Sequence, residues 1–378
     1  MFNLLEGVRI IDLTTVVLGP YATQLLGDLG AEVIKVEPPE GDVFRAVRPG
    51  RTDDIGAGFL NFNRNKKSVV LDLKQEGERK KLYDLVKTAD AFVHNMRESS
   101  TEKLGIDHPT LKSFKPDLVY CFSPGFGSSG PDADAPAYDD IIQARSGLAA
   151  LNATADGEPQ FVRTIACDKV VGLHLALATA SGIAHRARTG EGTCIEAPML
   201  ESMTSFLMAE HLAGVSFEPA LGPLGYDRLM TPHRKPHKTK DSYLAILPYS
   251  TKHWIRFFSV CGETDLAADP RVTDPLQRSE HIDWLYQEIA RIAATKTTSE
   301  WLQILSEEDI PCAPINALDD LFNDHHLSSV GLFAEAHTQN SGAIRQIRSP
   351  FIVNGELSGD MGQDLEPPRL GQDSQELL

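Results

Sequence analysis

The residue best placed for covalent chemistry in this chain is Asp168. A run typical of a β-strand, Phe161–Ala166, stops just before Cys167 and Asp168, and a helical pattern follows at once. One predicted helix face is formed by apolar residues at three- to four-residue spacing, namely Val170, Leu173, Leu177, Ala180 and Ala184. Asp168 is therefore predicted at the N-terminus of a helix, at the end of a strand.

Two interpretations of Asp168 follow from this placement. As an N-cap, its side chain would accept hydrogen bonds from the first N–H groups of the helix. As a nucleophile, its carboxylate would act at the edge of a sheet where α/β proteins place their ligand sites. The two roles are compatible, and the helix dipole is expected to keep the carboxylate ionised. The local pattern does not decide between them.

Composition narrows the function classes. The 378 residues carry a net charge of −17, which argues against nucleic acid or an anionic membrane surface as a partner. Five dispersed cysteines, without a C-x-x-C pair or metal-like spacing with histidine, predict reduced thiols, no metal and a cytoplasmic location. We find no signal peptide and no apolar run long enough to span a bilayer.

The chain begins with a pattern that predicts a parallel, helix-covered sheet. A strand at Val8–Leu13, a helix at Tyr21–Leu29 that Pro20 opens, and a strand at Glu32–Glu37 form a βαβ unit. Its glycines lack the G-x-G-x-x-G spacing, which argues against a nicotinamide cofactor. Further strands, separated by helical patterns, predict a doubly wound α/β fold: Ser68–Leu73, Ala91–His94 and Leu118–Phe122.

Positive charge gathers near the predicted strand ends. Each cation by itself suits a solvated surface, but together they suit an anionic ligand with phosphates. They are Arg45, Arg64, Lys66, Lys67, Lys74, Arg97 and Lys103.

A change in composition and in the pattern of predicted elements indicates a second domain. We expect a large domain at 1–212, a Gly/Pro-rich linker at 213–230, a small α+β domain at 231–316, and a return of 317–378 to the large domain. A basic segment begins the small domain and contains His233, Arg234, His237 and Lys238. These residues either lie in a solvated loop or bind the carboxylate of a substrate.

The combined pattern resembles the family III CoA-transferases (the CaiB/BaiF family), whose relatives include formyl-CoA transferase, carnitine CoA-transferase and α-methylacyl-CoA racemase. The resemblance runs over nearly the whole chain. It is carried by Gly19-Pro20, Asp28–Glu37, Gly41-Asp42, Arg45, Asn65–Ser68, Asp72–Lys74, Gly125–Gly127, Tyr138-Asp139, the Asp168 helix and Arg188–Gly192.

The resemblance implies a Rossmann-like large domain with a smaller α+β domain, in an interlocked, ring-like homodimer. It implies coenzyme A as the carried substrate, acyl-CoA and a small carboxylic acid as ligands, and Asp168 as the catalytic residue. The implied CoA-contacting positions are Val17, Leu18, Leu71, Asp72, Leu73, Lys74, Asn95, Met96, Arg97, Lys103, Ala137 and Tyr138. An oxyanion or acyl pocket is expected at Gly125, Phe126 and Gly127, although an ordinary turn is an equal alternative.

The implied reaction gives an aspartate a specific task. A carboxylate that attacks a thioester forms a mixed anhydride, and the released CoA thiolate then converts it into an aspartyl-CoA thioester. The acceptor acid reverses this sequence. Such a route keeps the thioester's energy, whereas an ester on serine or a plain thioester on cysteine would not serve both half-reactions equally.

The sequence departs from the family pattern in four places, of which the first two concern the expected CoA contacts and the third concerns how the acceptor's access is gated. Where the family commonly has Asn-x-x-Pro-Gly, this chain has Asn-Met-Arg-Glu-Ser at residues 95–99. Lys103 stands where the family usually has an arginine. The glycine-rich lid loop has no counterpart near 242–250, and the C-terminal Gly-Gln-His-Thr reads Gly371–Ser374.

Two alternatives remain at this point. A 2-methylacyl-CoA racemase on the same fold needs two bases, and the histidine that precedes the aspartate in that branch is Tyr138 here. A CoA-binding module that kept the fold without turnover is the other, because a fold alone does not prove activity.

Overall fold

The computed structural model describes residues 2–357 and 366–378. The chain consists of two compact units. The first comprises the residues up to Leu207 and those from His326 onwards, and the second is Met208–His325. The predicted linker at 213–230 and the finer domain boundaries stay predictions.

A six-stranded parallel sheet forms the centre of the first unit, which confirms the predicted α/β class. Its order is β3-β2-β1-β4-β5-β6, with every neighbouring pair parallel. The strands are β1 (Arg9–Leu13), β2 (Glu32–Glu37), β3 (Lys66–Val70), β4 (Ala91–His94), β5 (Val119–Phe122) and β6 (Thr193–Glu196).

Helices pack on both faces of this sheet, because successive strand residues such as Ile10 and Ile11 enter separate apolar layers. One layer includes residues of α1, α8 and α9, and the other includes residues of α3 and α5. The helices are α1 (Leu18–Asp28), α2 (Ala57–Phe62), α3 (Glu76–Lys87), α4 (Glu98–Leu104), α5 (His108–Phe114), α6 (Asp139–Ser146), α7 (Leu148–Leu151), α8 (Ala166–Thr189) and α9 (Met199–His211). A 3-10 helix lies at Val43–Ala46.

Two predicted elements differ from the structure, and one strand of the structure was not predicted. The strand at Phe161–Ala166 is wrong: residues 161–165 pair with no strand and are mostly exposed, and the helix begins at Ala166. Strand β6 was not predicted, since its residues are only half-buried and lack an apolar run. Helix α1 begins at Leu18, so Pro20 is its third residue rather than its first.

The apolar face predicted for α8 is only partly buried, since Val170 and Ala180 pack against the core and two of its leucines do not. Leu173 and Leu177 are 51% and 66% exposed, whereas Val171, Leu175 and Thr179 form the buried stripe. Both stripes have helical spacing, so apolar periodicity does not choose between them.

Close packing against α1 fixes the orientation of α8. A Cβ added to Gly172 would lie 2.7 Å from the carbonyl oxygen of Leu18, which is too close for any side chain. The absence of a side chain at Gly172 therefore lets the backbone of α1 approach closely.

The second unit contains a three-stranded antiparallel sheet, in the order β7-β8-β9, and a set of helices. Its core includes the buried rings of Trp254, Phe257, Tyr286 and Trp301. The strands are β7 (His237–Lys238), β8 (Tyr243–Ile246) and β9 (Cys312–Pro314). The helices are α10 (Asp227–Met230), α11 (Thr251–Val260), α12 (Thr264–Ala268), α13 (Pro270–Thr273), α14 (Pro275–Glu280), α15 (Ile282–Ala293) and α16 (Thr298–Glu307), with 3-10 helices at Ala213–Ser216 and Asp319–Asn323.

The C-terminal residues complete the first unit. After α17 (His325–Ser329) come the hairpin β10 (Phe333–Thr338) and β11 (Gly342–Ile347), the short pair β12 (Ile352–Val353) and β13 (Glu356–Leu357), and α18 (Ser374–Leu377). Asp373 and Ser374 accept hydrogen bonds from the N–H groups of Ser68 and Val70. The chain end thereby covers the open edge of β3. Among the described residues, no helix combines the length and apolarity that a membrane span requires.

Candidate active site

A cavity lies where the strand order reverses. Strands β2 and β3 lie to one side of β1 and strands β4 to β6 to the other, so the segments after β1 and β4 diverge. Doubly wound sheets form a ligand crevice at such a point. The cavity has a volume of about 330 Å³ and is lined by Thr15, Val16, Leu18, Asn95, Met96, Arg97, Ser100, Ser123, Gly125, Ala135, Pro136, Ala137, Tyr138, Asp168 and Met199.

Asp168 reaches this cavity from the first turn of α8. Its backbone N–H donates to Asp139 Oδ1 (3.0 Å), and Asp139 Oδ2 accepts from Gln143 Nε2 (2.6 Å). Gln143 Oε1 in turn accepts from the N–H of Val162 (2.9 Å). Side chains of α6 therefore hold the start of α8. The N-cap prediction for Asp168 is wrong, because the cap position belongs to Ile165, which makes no side-chain cap bond.

The carboxyl group of Asp168 is less acidic than the sequence predicted. Burial, and secondly the negative charge of Asp139, raise the pKa of Asp168 to about 7. A helix N-terminus favours a carboxylate by only about 0.3–1 kcal/mol, whereas desolvation can shift a pKa by several units. The residue is 8% exposed and lines the cavity, so the group is reachable as well as perturbed. This combination is typical of functional carboxyl groups.

The loop between β1 and α1 forms one wall in an unusual conformation. Val16 has a φ of +70°, which a β-branched residue rarely adopts. Asn95 accepts from the N–H of Thr15 through Oδ1 and donates to its carbonyl through Nδ2, both at 3.0 Å. Asp42 Oδ1 accepts from the N–H of Val16 (3.2 Å). These bonds hold the strained backbone at the cavity, and they use both ends of the Asn95 amide.

Three fully buried charges contact the same loop, and a fourth, that of Lys66, pairs with one of them; the sequence analysis did not identify the four as a group. Lys35 Nζ lies 3.0 Å from Asp42 Oδ2 and donates to the carbonyl of Thr14 (2.7 Å). Asp12 Oδ1 accepts from the N–H of Thr14 (2.8 Å), and Asp12 Oδ2 lies 3.0 Å from Lys66 Nζ. All four side chains have 0% exposure. We call Asp12, Lys35, Asp42 and Lys66 the buried charge cluster.

The predicted phosphate-binding set is therefore partly wrong. Several of its cations are neutralised inside the first unit, in the pairs Arg45–Glu37 (2.7 Å), Arg64–Asp28 (2.6 Å) and Lys66–Asp12 (3.0 Å). Lys67 is paired with Glu32 at 2.9 Å. Lys74, Arg97 and Lys103 are exposed. Buried cations near strand ends look the same in a sequence as solvent-facing ones, because both follow apolar runs.

Six of the predicted CoA-contacting residues line the cavity: Leu18, Asn95, Met96, Arg97, Ala137 and Tyr138. The others lie outside its lining. Val17 is fully buried at the start of α1, and Lys103 is exposed near the end of α4. Leu71 is buried, and the turn formed by Asp72, Leu73 and Lys74 follows β3, where the N–H of Lys74 donates to Asp72 Oδ1 (3.1 Å).

The glycine segment after β5 divides into two environments. Gly125 lines the cavity, and a Cβ there would lie 2.3 Å from the Cβ of Ala137, so no larger residue fits. Phe126 is buried in the core. The N–H of Gly127 donates to Glu201 Oε1 (2.9 Å), so it is not free for an oxyanion.

Some lining residues were missed by the sequence analysis: Thr15, Val16, Ser100, Ser123, Ala135, Pro136 and Met199. Most follow β1, β4 or β5, and a strand-end rule applied to each strand would have found Thr15, Val16 and Ser123. In the second unit, His237 is buried against Tyr286, and burial lowers its pKa to about 4. The expectation of a solvated loop is therefore wrong for His237.

The sequence resembles those of known proteins over nearly its whole length. Residues 5–374 match the protein family described as "CoA-transferase family III". The succinyl-CoA:glutarate CoA-transferase of Mus musculus is 31% identical, over 99% of this chain and 85% of the mouse protein. The succinyl-CoA:mesaconate CoA-transferase of Haloarcula hispanica is 33% identical, over 99% of this chain and 95% of that protein.

A solved structure agrees with these sequence matches. The crystal structure of Rv3272 from M. tuberculosis superposes with a TM-score of 0.85 at 30% identity and covers 99% of this chain and 98% of its own. The match runs through both compact units and includes the segments that form the cavity. The chain belongs to CoA-transferase family III.

Proposed function

We propose that the chain transfers CoA from an acyl-CoA thioester to a free carboxylic acid, with Asp168 as the nucleophile. The observation that carries the proposal is the placement of the Asp168 carboxyl group on the wall of the switch-point cavity. A nucleophile sealed in the core could not meet a thioester. A pKa of about 7 leaves a useful fraction of carboxylate at neutral pH.

The proposed reaction balances without a co-reactant. A carboxylate oxygen of Asp168 attacks the thioester carbonyl and the C–S bond breaks. CoA leaves as the thiolate, and a mixed anhydride of Asp168 and the donor acid remains. The thiolate attacks the aspartyl carbonyl and releases the donor acid as its carboxylate. The acceptor carboxylate then attacks the resulting aspartyl-CoA thioester, and the thiolate finally attacks the acceptor's acyl carbon and frees Asp168. No proton changes place in any step.

The cavity wall suggests how the substrates are held. Leu18, Met96 and Met199 offer apolar surface to an acyl chain, and Gly125 leaves room for the reacting carbonyl. Arg97 is the single cation among the described lining residues, and one of its nitrogens donates to the carbonyl of Asp134 (2.8 Å). We propose that Arg97, with the exposed Lys74 and Lys103, contacts the phosphates of CoA. Small carboxylic acids are the proposed acceptor class, and the acceptors in the names of three relatives are the dicarboxylic acids glutarate, oxalate and mesaconate.

An interlocked homodimer is the proposed assembly. Its support is the apolar stripe of α8 that the first unit leaves exposed, Leu173 and Leu177. Light scattering of the purified protein measures the mass directly. A monomer at micromolar concentration would contradict this part of the proposal.

The racemase alternative lacks a second base in the described part of the cavity. Its titratable lining residues are Arg97, Tyr138 and Asp168, and none is a histidine. His94 lies nearby in sequence, but burial lowers its pKa to about 3 and its two ring nitrogens contact the hydroxyl of Tyr120 and the N–H of Met96. Incorporation of deuterium from the solvent at C2 of a 2-methylacyl-CoA would support the racemase instead.

The decisive experiment pairs a substrate panel with chemical trapping. The protein is incubated with acetyl-, succinyl- and formyl-CoA as donors and with succinate, glutarate, oxalate and mesaconate as acceptors, and the CoA esters are read by mass spectrometry. Hydroxylamine added during turnover should convert Asp168 into a hydroxamate that peptide mapping locates. A CoA-binding module would bind the donors and give neither exchanged esters nor the modified peptide.

We expect the acylation rate to rise with pH through a midpoint near 7, since only the ionised form of Asp168 attacks. Replacing Asp139 by asparagine should move that midpoint to lower pH, because the neighbouring negative charge disfavours the carboxylate. An amide oxygen can still accept from the N–H of Asp168, while the hydrogen bond from Gln143 Nε2 is lost. The measurement is the initial rate of hydroxamate formation from about pH 5 to about pH 9. An unchanged midpoint in Asp139→Asn would contradict this explanation.

A further inference from the structure

A second cavity lies wholly within the second unit. It has a volume of about 240 Å³ and is lined by Tyr226, Arg228, Tyr249, Trp254, Pro275, Arg278, Ser279 and Ile282. It shares no residue with the cavity that contains Asp168. Two of its eight lining residues are arginines, in a chain whose net charge is −17. A pair of like charges in one small cavity needs an explanation, because bringing them together costs free energy.

Both arginines are held by neutral groups. Arg228 donates from Nε to the hydroxyl of Tyr286 (3.0 Å), and its guanidinium lies 4.8 Å from the ring centre of Tyr249. Arg278 donates from Nη1 to the carbonyl of Val272 (2.6 Å) and from Nη2 to Thr251 Oγ1 (3.0 Å). The guanidinium groups are therefore oriented, but their charges are not compensated by these contacts.

No carboxylate of the described residues lies within 4.0 Å of either guanidinium. The acid that acts electrostatically on Arg278 is Asp274, and its Oδ1 already accepts from the N–H groups of Leu276 and Gln277. Burial, and then the charge of Arg228, lower the pKa of Arg278. Elsewhere in the same unit, Arg271 pairs with Asp269 and Arg291 with Glu263 and Glu288.

We propose that this cavity binds a small oxyanion, a carboxylate or a phosphate group, between Arg228 and Arg278. Guanidinium groups have free N–H donors in a planar arrangement that suits both kinds of anion. Arg228 keeps both of its Nη groups for the ligand, and Arg278 keeps Nε. Tyr226 and Ser279 also line the cavity and carry hydroxyl groups that can donate hydrogen bonds. The proposal does not depend on the chemistry at Asp168.

The test measures binding of sodium succinate and of inorganic phosphate to the full-length protein at constant ionic strength. Trp254 forms part of the wall, so tryptophan emission reports the titration, and calorimetry checks it. We expect saturable binding of at least one anion. Arg228→Gln and Arg278→Gln should each weaken it at least about tenfold, because each removes a charge-assisted contact. Arg291→Gln is the matched control: it removes the same charge in the same unit and should bind as the unchanged protein does.

Each outcome of this test either supports or overturns the proposed anion site. Binding of phosphate alone identifies a phosphate site, and binding of succinate alone identifies a carboxylate site. Absence of binding by the unchanged protein, or equal binding by all the variants, overturns the proposal. If Arg278→Gln fails to fold by circular dichroism, Arg228→Gln decides alone, since its side chain makes a single hydrogen bond. Asp168→Asn should lose CoA transfer and keep this binding, so failure of one proposal does not mask the other.

Discussion

Replacing Asp168 by asparagine is expected to lower CoA transfer by at least about a thousandfold while the protein stays folded. The amide has the same shape, but it cannot form an anhydride with the donor's acyl group. Both half-reactions pass through the same carboxyl group, so neither compensates for the other. The effect should fall on kcat, because the residues proposed to contact CoA (Arg97, Lys74 and Lys103) are left unchanged.

The fold should tolerate this change. In the part of the chain that the structure describes, no hydrogen-bond donor contacts the side-chain oxygens of Asp168, so asparagine leaves no partner unpaired. A neutral amide also avoids the cost of burying a carboxylate, which the raised pKa of Asp168 reflects. We therefore expect the urea midpoint at neutral pH to be equal to or above that of the unchanged protein.

Asp140→Asn provides the matched control for Asp168→Asn. Asp140 lies in the first turn of α6 beside Asp139, and its side chain is exposed. The substitution removes one carboxylate at the same end of the cavity without touching the proposed nucleophile. Transfer should stay within about threefold, as for most exposed sites. If both variants lose activity equally, or if Asp168→Asn keeps more than about a tenth of it, Asp168 is not the nucleophile.

The central strands could be predicted because they are buried on both faces. Runs such as Glu32–Glu37 and Ala91–His94 are dominated by apolar residues, and the structure places strands at those same bounds. Strand β6 lacks this signal, since it lies at an edge of the sheet and Cys194 is exposed. The run Phe161–Ala166 carries a strand-like pattern but has no neighbouring strand. A sequence pattern shows apolar alternation, but it does not show whether a neighbouring strand is present to pair with.

The position of Asp168 was predicted, but its charge state was not. Its place in the first turn of α8 follows from local sequence, whereas its pKa depends on burial and on Asp139, which lies 29 residues earlier. The buried charge cluster was missed for a similar reason. Asp12 and Lys35 occupy apolar strands and are direct neighbours in the register of β1 and β2. A charged residue inside each of two adjacent buried strands is the signal that would have indicated an internal pair.

Replacing Lys35 by methionine is expected to destabilise the first unit by about 3–5 kcal/mol, the cost of breaking a buried ion pair from one side. Burial alone would lower the pKa of Lys35, but Asp42, Asp12 and Glu37 outweigh it and raise the pKa. Methionine has a similar volume, so the loss comes from charge and not from a cavity. Asp42 would be left buried without its cation, and the carbonyl of Thr14 without its donor.

Urea unfolding followed by circular dichroism measures this loss, and hydrogen exchange of peptides spanning β1 and β2 locates it. Lys67→Met is the control, because Lys67 and its partner Glu32 are 37% and 31% exposed, and such pairs contribute about 0–1 kcal/mol. The double variant Lys35→Met with Asp42→Asn should recover part of the stability. The stranded charge is then gone, while an amide oxygen can still accept from the N–H of Val16. Equal losses in Lys35→Met and Lys67→Met, or no recovery in the double variant, would show that the buried charge cluster does not hold the loop at the cavity.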